Sequence, residues 1–341
     1  MKPHPIGVSD RFRGFLEELD RAAKTDTNVL LRGETGTGKE ICARALHERS
    51  TRRRAPFVTV DCAAVNETLM EGELFGHSRG AFTGADRTRN GRILSASGGT
   101  LFLDGIDHLV PPAQTRLLRV IQEREVLPLG ETLPRPVDFR LVSSVSDEFS
   151  GRLGSGEFRR DLYYRINVIQ LELPPLRQRA DDVPVLAQEF LDEISRRFGK
   201  RVLRIEDRAL RVLREFEWPG NVRELRGVLE CAVATARGEV LRESDLPVYL
   251  RTQTAKTNPG VSAAQPGPVQ HAPTEPEPPN EEPARESFHD RVRAYQRRLI
   301  VEALREHSWR YHSAAVTLGL SHHQLKYLCA KLGIRRARFD S

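Results

Sequence analysis

Seven residues, Gly33-Glu34-Thr35-Gly36-Thr37-Gly38-Lys39, carry the first chemistry in this chain of 341 residues. They fit G-x-x-x-x-G-K. The backbone N–H groups of such a loop can cradle phosphates at a helix N-terminus, and the Lys ammonium can reach the outer phosphates. Glu40 follows, where a Ser or Thr hydroxyl is usual. Further on, Leu101-Phe102-Leu103-Asp104 is an apolar run that ends in a carboxylate. That is the form of a group that holds Mg²⁺ on a nucleotide. An Asp that merely caps a turn is the alternative, and the phosphate loop upstream disfavours it. Asp61 closes another apolar run, 57–60, and Asp107 lies in the turn after Asp104.

These residues need elements to hold them. The apolar run 28–32 leads into the glycine loop, and the helical pattern ICARALHERS follows it. Strand-like runs recur at 57–60, 100–103, 139–143 and 168–173, the last ending at Pro174-Pro175. Strands that alternate with helical stretches predict an α/β subdomain with a mainly parallel sheet over residues 1–173. Beyond Pro175 the apolar residues of 183–199, 206–216 and 221–236 recur at helical spacing, which predicts a small all-helical subdomain over 174–250. Residues 251–286 are rich in Pro, Gln, Thr, Ala and Glu. They cannot bury enough apolar surface to fold and read as a disordered linker. A last helical unit is expected over 287–341.

Charge and cysteines narrow the class. The net charge is +6, yet residues 287–341 hold 11 Lys/Arg against 4 Asp/Glu, a local balance of +7. A basic module on a near-neutral body points to a polyanion partner, and a solvated basic tail is the plain alternative. The four cysteines, Cys42, Cys62, Cys231 and Cys329, are scattered without a CxxC pair, so neither a disulfide framework nor a metal site is expected. No apolar run is long enough to span a membrane, and the start lacks a signal-peptide core. The expected location is cytoplasmic.

Two further segments carry recognition chemistry. Residues 73–85 read ELFGHSRGAFTGA and contain the run Gly80-Ala81-Phe82-Thr83-Gly84-Ala85. Glycines make that backbone permissive, so an apolar side chain can sit at an exposed loop tip. A lone Gly-Ala-Phe would read as a surface loop whose Phe tucks into the core. Residues 311–333 read YHSAAVTLGLSHHQLKYLCAKLG. Ala314, Ala315 and Leu318 define a short amphipathic helix. Gly319 breaks it, Ser321 is a good N-cap, and Leu325, Leu328 and Leu332 form the next apolar face. This is helix-turn-helix spacing. Ser321, His322, His323, Gln324, Lys326, Tyr327 and Lys331 on the second helix can bond base edges or phosphates. A helical hairpin for protein contact is the alternative, and the basic balance disfavours it.

Taken whole, ELFGH…GAFTGA resembles the surface loop by which AAA+ activators of sigma-54 RNA polymerase grip the sigma factor. The resemblance covers almost all of the chain except 251–286. It implies an AAA+ P-loop NTPase with a helical lid and a C-terminal Fis-type helix-turn-helix, binding ATP and Mg²⁺. It implies that residues 80–85 contact the sigma-54 RNA polymerase holoenzyme, that Asp104 is the Walker B metal-holding carboxylate, and that 321–331 bind enhancer double-stranded DNA at the nucleoid. Phe158-Arg159-Arg160-Asp161-Leu162-Tyr163-Tyr164-Arg165 resembles the arginine-finger segment, which assigns Arg159 and Arg165 to a neighbour's nucleotide. Fingers that act in trans imply a homo-oligomer, a hexamer in this family. Trp218-Pro219-Gly220-Asn221-Val222-Arg223-Glu224-Leu225 resembles sensor II, with Arg223 at the nucleotide. The layout without a leading sensory domain, and the GLSHHQL wording, are closest to the phage-shock operon activator, which implies an inhibitory regulator protein in trans.

The chain departs from the pattern in two places. The acidic Glu40 is shared with the family. The Glu that follows the Walker B Asp, which polarises the attacking water, is Gly105 here. Sensor I, usually Ala-Thr-Asn, reads Ser144-Val145-Ser146. Asp61 and Asp107 are the carboxylates that can compensate for Gly105, and Asp61 is the expected base. Three function classes follow. The first is an ATP-driven sigma-54 activator. The second is a DNA-binding nucleotide sensor with little hydrolysis. The third is a general AAA+ chaperone, which leaves the loop unexplained.

Overall fold

The computed structural model describes residues 4–82 and 85–254, and in the C-terminal part residues 297, 300–305, 307, 309, 311–317, 325, 329 and 334. They fall into two compact units, Met1–Ala263 and Ala264–Ser341.

Five short apolar runs form the central sheet of the first unit. They are β1 (Val29–Arg32), β2 (Phe57–Asp61), β3 (Thr100–Asp104), β4 (Arg140–Val145) and β5 (Ile169–Glu172). Their spatial order is β2-β3-β4-β1-β5, every pair parallel. Parallel sheets are covered on both faces, so their strands are buried nearly throughout. Successive side chains alternate between two cores. Leu30, Leu101, Leu103 and Leu141 pack on one face with Met70, Leu74, Phe75 and Leu117. Val29, Leu31, Phe102, Val142 and Leu171 pack on the other with Phe12, Phe15, Leu19 and Leu46.

Helix α1 (Asp10–Ala23) starts at Ser9, whose hydroxyl accepts the Phe12 N–H as an N-cap. Its C-terminus is held by Arg140 of β4. That guanidinium is almost fully buried and donates to the carbonyls of Ala22 (2.7 Å), Ala23 (3.3 Å) and Thr27 (3.3 Å). The last carbonyls of a helix have no partner of their own, so this cation does the work of a C-cap. Helix α2 (Lys39–Glu48) follows the glycine loop directly.

The strand predicted at 139–143 runs from 140 to 145, because Ser144 is buried and its hydroxyl is satisfied within the structure. A polar residue ends a strand in sequence reading only when its partner is invisible.

Residues beyond Pro175 form α3 (Val183–Phe198), α4 (Asp207–Glu215), α5 (Asn221–Thr235) and α6 (Val248–Thr254). Their core centres on Trp218, which is fully buried and donates its indole N–H to the Leu213 carbonyl at 2.7 Å. The linker expected from Arg251 starts later, since α6 continues to Thr254. Leu250 is fully buried and anchors that helix to the lid core, an anchor that the polar composition after it concealed. Residues 255–286 of the expected linker lie outside the described residues.

In the second unit, Ile300, Ala303, Leu304, Ala314, Ala315, Leu325, Cys329 and Ile334 share one buried cluster, with a helix over Tyr311–Thr317. Ser321, His322, His323, Gln324, Lys326, Tyr327 and Lys331 lie outside the described residues. Among the described residues no helix is long and apolar enough to cross a membrane, and no group of three or more His, Cys, Asp or Glu is placed to hold a metal ion.

Candidate functional site

Because all five strands are parallel, their C-terminal ends lie on one edge, where open α/β sheets bind ligands. β1 delivers the glycine loop there. β2 and β3 end in Asp61 and Asp104, which are paired in register. β4 delivers Ser144, Val145 and Ser146. The lid closes the far side with Val222, Arg223 and Arg226 of α5 and Phe190 of α3. The cleft between them is about 500 Å³, within the range of small-molecule sites.

Of the expected loop residues, Thr35, Gly36, Gly38, Lys39 and Glu40 line this cleft. Gly38 is left-handed (φ +104°), and a Cβ on it would point into open space. Its backbone is therefore bare toward the cleft, as a phosphate cradle needs. The Lys39 ammonium donates to the carbonyls of Gly33 (2.7 Å) and Glu34 (3.0 Å). Burial lowers its pKa, and the charges of Asp104, Asp147 and Asp107 oppose that shift.

Gly33 and Glu34 do not face the cleft. They line a second depression behind the loop, with Arg177. Arg177 grips Glu34 through two bonds of 2.6 and 2.8 Å and holds its carboxyl below the usual range. Thr37 is buried, and its hydroxyl donates to the Glu34 carbonyl at 2.8 Å. These three shape the loop from behind.

Asn221 and Arg177 are the residues that sequence reasoning missed. Asn221 is fully buried with a positive φ of 52°. Its Oδ1 accepts the Leu176 N–H at 2.7 Å, and its Nδ2 donates to Glu34 Oε2 (3.0 Å) and the Thr35 carbonyl (3.2 Å). A Cβ on Gly36 would lie 2.3 Å from the Gly220 carbonyl, and the Arg223 N–H donates to the Gly36 carbonyl at 3.2 Å. The Trp-Pro-Gly-Asn turn thus sits directly on the phosphate loop. Its sequence signal was its place in the string that resembles sensor II, and nothing local linked it to Glu34. Magnitudes rank the two clamps. A partly exposed ion pair such as Arg177–Glu34 contributes under about 1 kcal/mol. Leaving buried backbone groups unpaired costs about 1–3 kcal/mol, so Asn221 is the stronger tie.

The strand edge is differently made. Ser144 Oγ donates to Asp104 Oδ1 and accepts the Gly105 N–H at 2.9 Å. Ser144 therefore orients the Asp104 carboxylate, while Ser146 lines the cleft. Asp61 Oδ1 accepts the N–H groups of Ala63 (3.0 Å) and Ala64 (3.1 Å). Asp107 is buried, and its Oδ1 has no hydrogen-bond partner. Gly105 is left-handed (φ +66°), and a Cβ there would meet the His108 ring at 3.1 Å.

Arg159 and Arg165 do not reach this cleft. Arg159 is exposed and pairs with Asp161 at 2.7 Å. Arg165 is exposed at the end of the helix Arg160–Ile166.

The surface loop rises from an antiparallel ribbon, Gly76–His77 with Arg89–Asn90. Ser78 N–H donates to Leu129 O and Leu129 N–H to Gly76 O, both at 2.9 Å, which fixes the base of the loop. Gly80 (φ +81°) donates to the Ala85 carbonyl at 2.9 Å. Phe82 is 37% exposed and meets the His77 ring edge-on at 5.0 Å. It is thus neither in the core nor free. Thr83 and Gly84 lie outside the described residues.

A parallel sheet with a glycine loop, a strand-end carboxylate and a helical lid across the cleft defines an AAA+ P-loop NTPase. Comparison with known proteins narrows this. Residues 6–172 match the Sigma-54 interaction domain, and residues 177–263 match the AAA+ ATPase lid domain. The chain is 46% identical over 252 residues to the transcriptional regulatory protein ZraR of Salmonella typhimurium, covering 74% of this chain and 57% of that protein. It is 40% identical over 354 residues to the Nif-specific regulatory protein of Bradyrhizobium diazoefficiens, covering 98% of this chain and 60% of that protein. The chain thus spans somewhat under two thirds of the length of these relatives. The crystal structure of NtrX from Brucella abortus in complex with ATP superposes with a TM-score of 0.68 at 26% identity, covering 97% of this chain and 70% of that one. Residues 6–172 thus belong to the Sigma-54 interaction domain family, followed by its AAA+ lid at 177–263.

Proposed function

We propose that this protein is an ATP-dependent transcriptional activator that remodels sigma-54 RNA polymerase from the closed to the open promoter complex. The observation that carries the reading is the cleft, where Lys39 and Asp104 face Arg223 of the lid across a bare glycine backbone. ATP bound in NtrX, a similar protein, supports the same ligand here. The residues fit Mg²⁺ as well. Asp104 is a hard oxygen donor already oriented by Ser144. Mg²⁺ in phosphate sites is held by one or two carboxylates plus phosphates and water, and Asp104 would supply such a carboxylate. When bound, Mg²⁺ neutralises charge that develops on the phosphates.

The chain's own residues do the rest. Gly38 and its neighbours present backbone N–H groups to phosphate, and Lys39 leaves its loop carbonyls for phosphate oxygens. Arg223 reports the bound state to the lid through the Gly36 contact. Arg159 and Arg165, remote from their own cleft, serve a neighbour's cleft in a homo-oligomeric ring, a hexamer. Residues 80–85 engage sigma-54, with Phe82 held near the surface by His77 until the loop moves. A ligand shifts such a loop only by binding its positions unequally, so the γ-phosphate distinguishes loop-up from loop-down. Residues 321–331 bind enhancer DNA. The Gly319–Leu325 wording supports control by a regulator protein in trans.

A second reading, a DNA-binding nucleotide sensor with little hydrolysis, is favoured by Gly105 alone. The test is open-complex formation on a sigma-54 promoter by the full chain with ATP and with ADP. Open complexes that need ATP support the activator. Nucleotide binding without open complexes supports the sensor.

A further inference from the structure

The proposed ATPase lacks the Glu that ordinarily orients water, so some other group must do this if the cleft hydrolyses ATP. Four acidic side chains line the cleft, Glu40, Asp61, Asp104 and Asp107, and Glu40 is paired with Arg44 of its own helix at 3.5 Å. Their surroundings differ. Asp104 is bonded by Ser144, which suits it to a metal. Asp61 Oδ1 is taken by the N–H groups of Ala63 and Ala64, an arrangement that starts the turn after β2. Asp107 has no such employment. It is 6% exposed, and its Oδ1 is shut from solvent with no donor. An unpaired buried carboxylate is costly to keep, so a fold that carries one at its ligand cleft is paying for something other than stability.

The geometry points to Asp107 as the carboxylate that receives the attacking water in place of the absent Glu. This rests on the hydrolysis reading above. Asp107 sits in a 3-10 turn, Ile106–His108, immediately beyond the metal-holding Asp104. The turn begins at the left-handed Gly105, and the Asp107 carbonyl is tied down by Arg152 Nη1 at 2.9 Å. The backbone is fixed, while Oδ1 of the carboxylate has no hydrogen-bond partner among the described residues. Asp107 and Lys39 line the same cleft, and the charge of Asp107 acts on the Lys39 ammonium after those of Asp104 and Asp147.

In the step assigned to it, the water oxygen bonds to the γ-phosphorus. The bond between that phosphorus and the β–γ bridging oxygen breaks, and its electron pair leaves on ADP. The water proton passes to Asp107 and is then released with phosphate. The Gly105 backbone explains why the carboxylate comes from residue 107. At φ +66° a Glu there is strained, and its Cβ crowds His108.

The test compares Asp107→Asn and Asp61→Asn in the full chain, reading ATP turnover, ATP affinity by calorimetry and melting temperature. For Asp107→Asn, turnover falls at least about 100-fold, as for loss of a general base. ATP affinity is kept, and the melting temperature holds or rises because an unpaired charge has gone. Asp61→Asn lowers turnover less than Asp107→Asn does, and an equal or larger loss at Asp61 overturns the assignment. Turnover that survives Asp107→Asn while the wild type is active overturns this assignment alone. A wild type that binds ATP and turns none over overturns the hydrolysis reading, and this assignment with it. Should Asp107→Asn not fold, Asp107→Ser carries the comparison. If neither folds, the carboxylate is structural and the assignment fails.

Discussion

The two walls of the cleft are built on opposite principles. On the phosphate-loop wall nearly every polar group behind the loop has a partner. Glu34 is held by Arg177 and Asn221, Thr37 by the Glu34 carbonyl, and Gly36 by the Arg223 N–H. On the strand wall Asp104 is oriented, but Asp107 Oδ1 has no partner among the described residues and Gly105 offers no side chain. Saturated groups hold a shape, and unsatisfied ones wait for a ligand or reactant. The loop wall therefore reads as the binding half of the site and the strand wall as its chemical half.

Substitutions can break that contrast. The largest effect is expected from Lys39→Ala, which removes the cation of the binding wall. ATP affinity should fall by at least about 100-fold, since hydrogen bonds to charged groups contribute about 1.5–3 kcal/mol each. Calorimetry checks this. Gly36→Ala comes next. Its Cβ would lie 2.3 Å from the Gly220 carbonyl at a left-handed backbone, so loop and lid must separate. Overpacking of this kind costs about 1–3 kcal/mol, to be read from denaturant unfolding. Asn221→Ala should cost about the same, because the buried Leu176 N–H loses its partner. Arg177→Ala, which breaks a half-exposed ion pair, should cost under about 1 kcal/mol. If Arg177 proved costlier than Asn221, the ranking of the clamps would be reversed.

The smallest expected effect is in pH. Glu34 has its carboxyl pKa lowered from 4.5, chiefly by Arg177. A depressed pKa gives stability that is full above the unfolded value and is lost as pH falls through the folded value. Acid unfolding should therefore weaken the loop wall below the ordinary Glu range. Arg177→Ala should flatten that part of the profile. Solvent screening of this partly exposed pair keeps the effect small.

Much of this was legible in the residues. The glycine loop, the strand-end Asp104 and the alternation of strands with helices follow from local pattern, and the family follows from a long specific string. What stayed hidden was contact across sequence distance. Nothing near Glu34 names Arg177 or Asn221, and nothing in Ser144-Val145-Ser146 says that Ser144 orients Asp104. Gly105 read as a missing side chain. Its left-handed backbone and the neighbouring His108 ring show that restoring Glu there is no simple repair. The residues alone point to Asp61 as the base, and the hydrogen bonds that set Asp61 apart from Asp107 are not visible in them.

The central claim is that this cleft hydrolyses ATP although residue 105 is glycine. The direct measurement is steady-state ATP turnover by the full wild-type chain, with Lys39→Ala as the blank. The account predicts turnover well above the blank, abolished by Asp107→Asn with ATP still bound. Tight ATP binding with turnover no greater than the Lys39→Ala blank would contradict it.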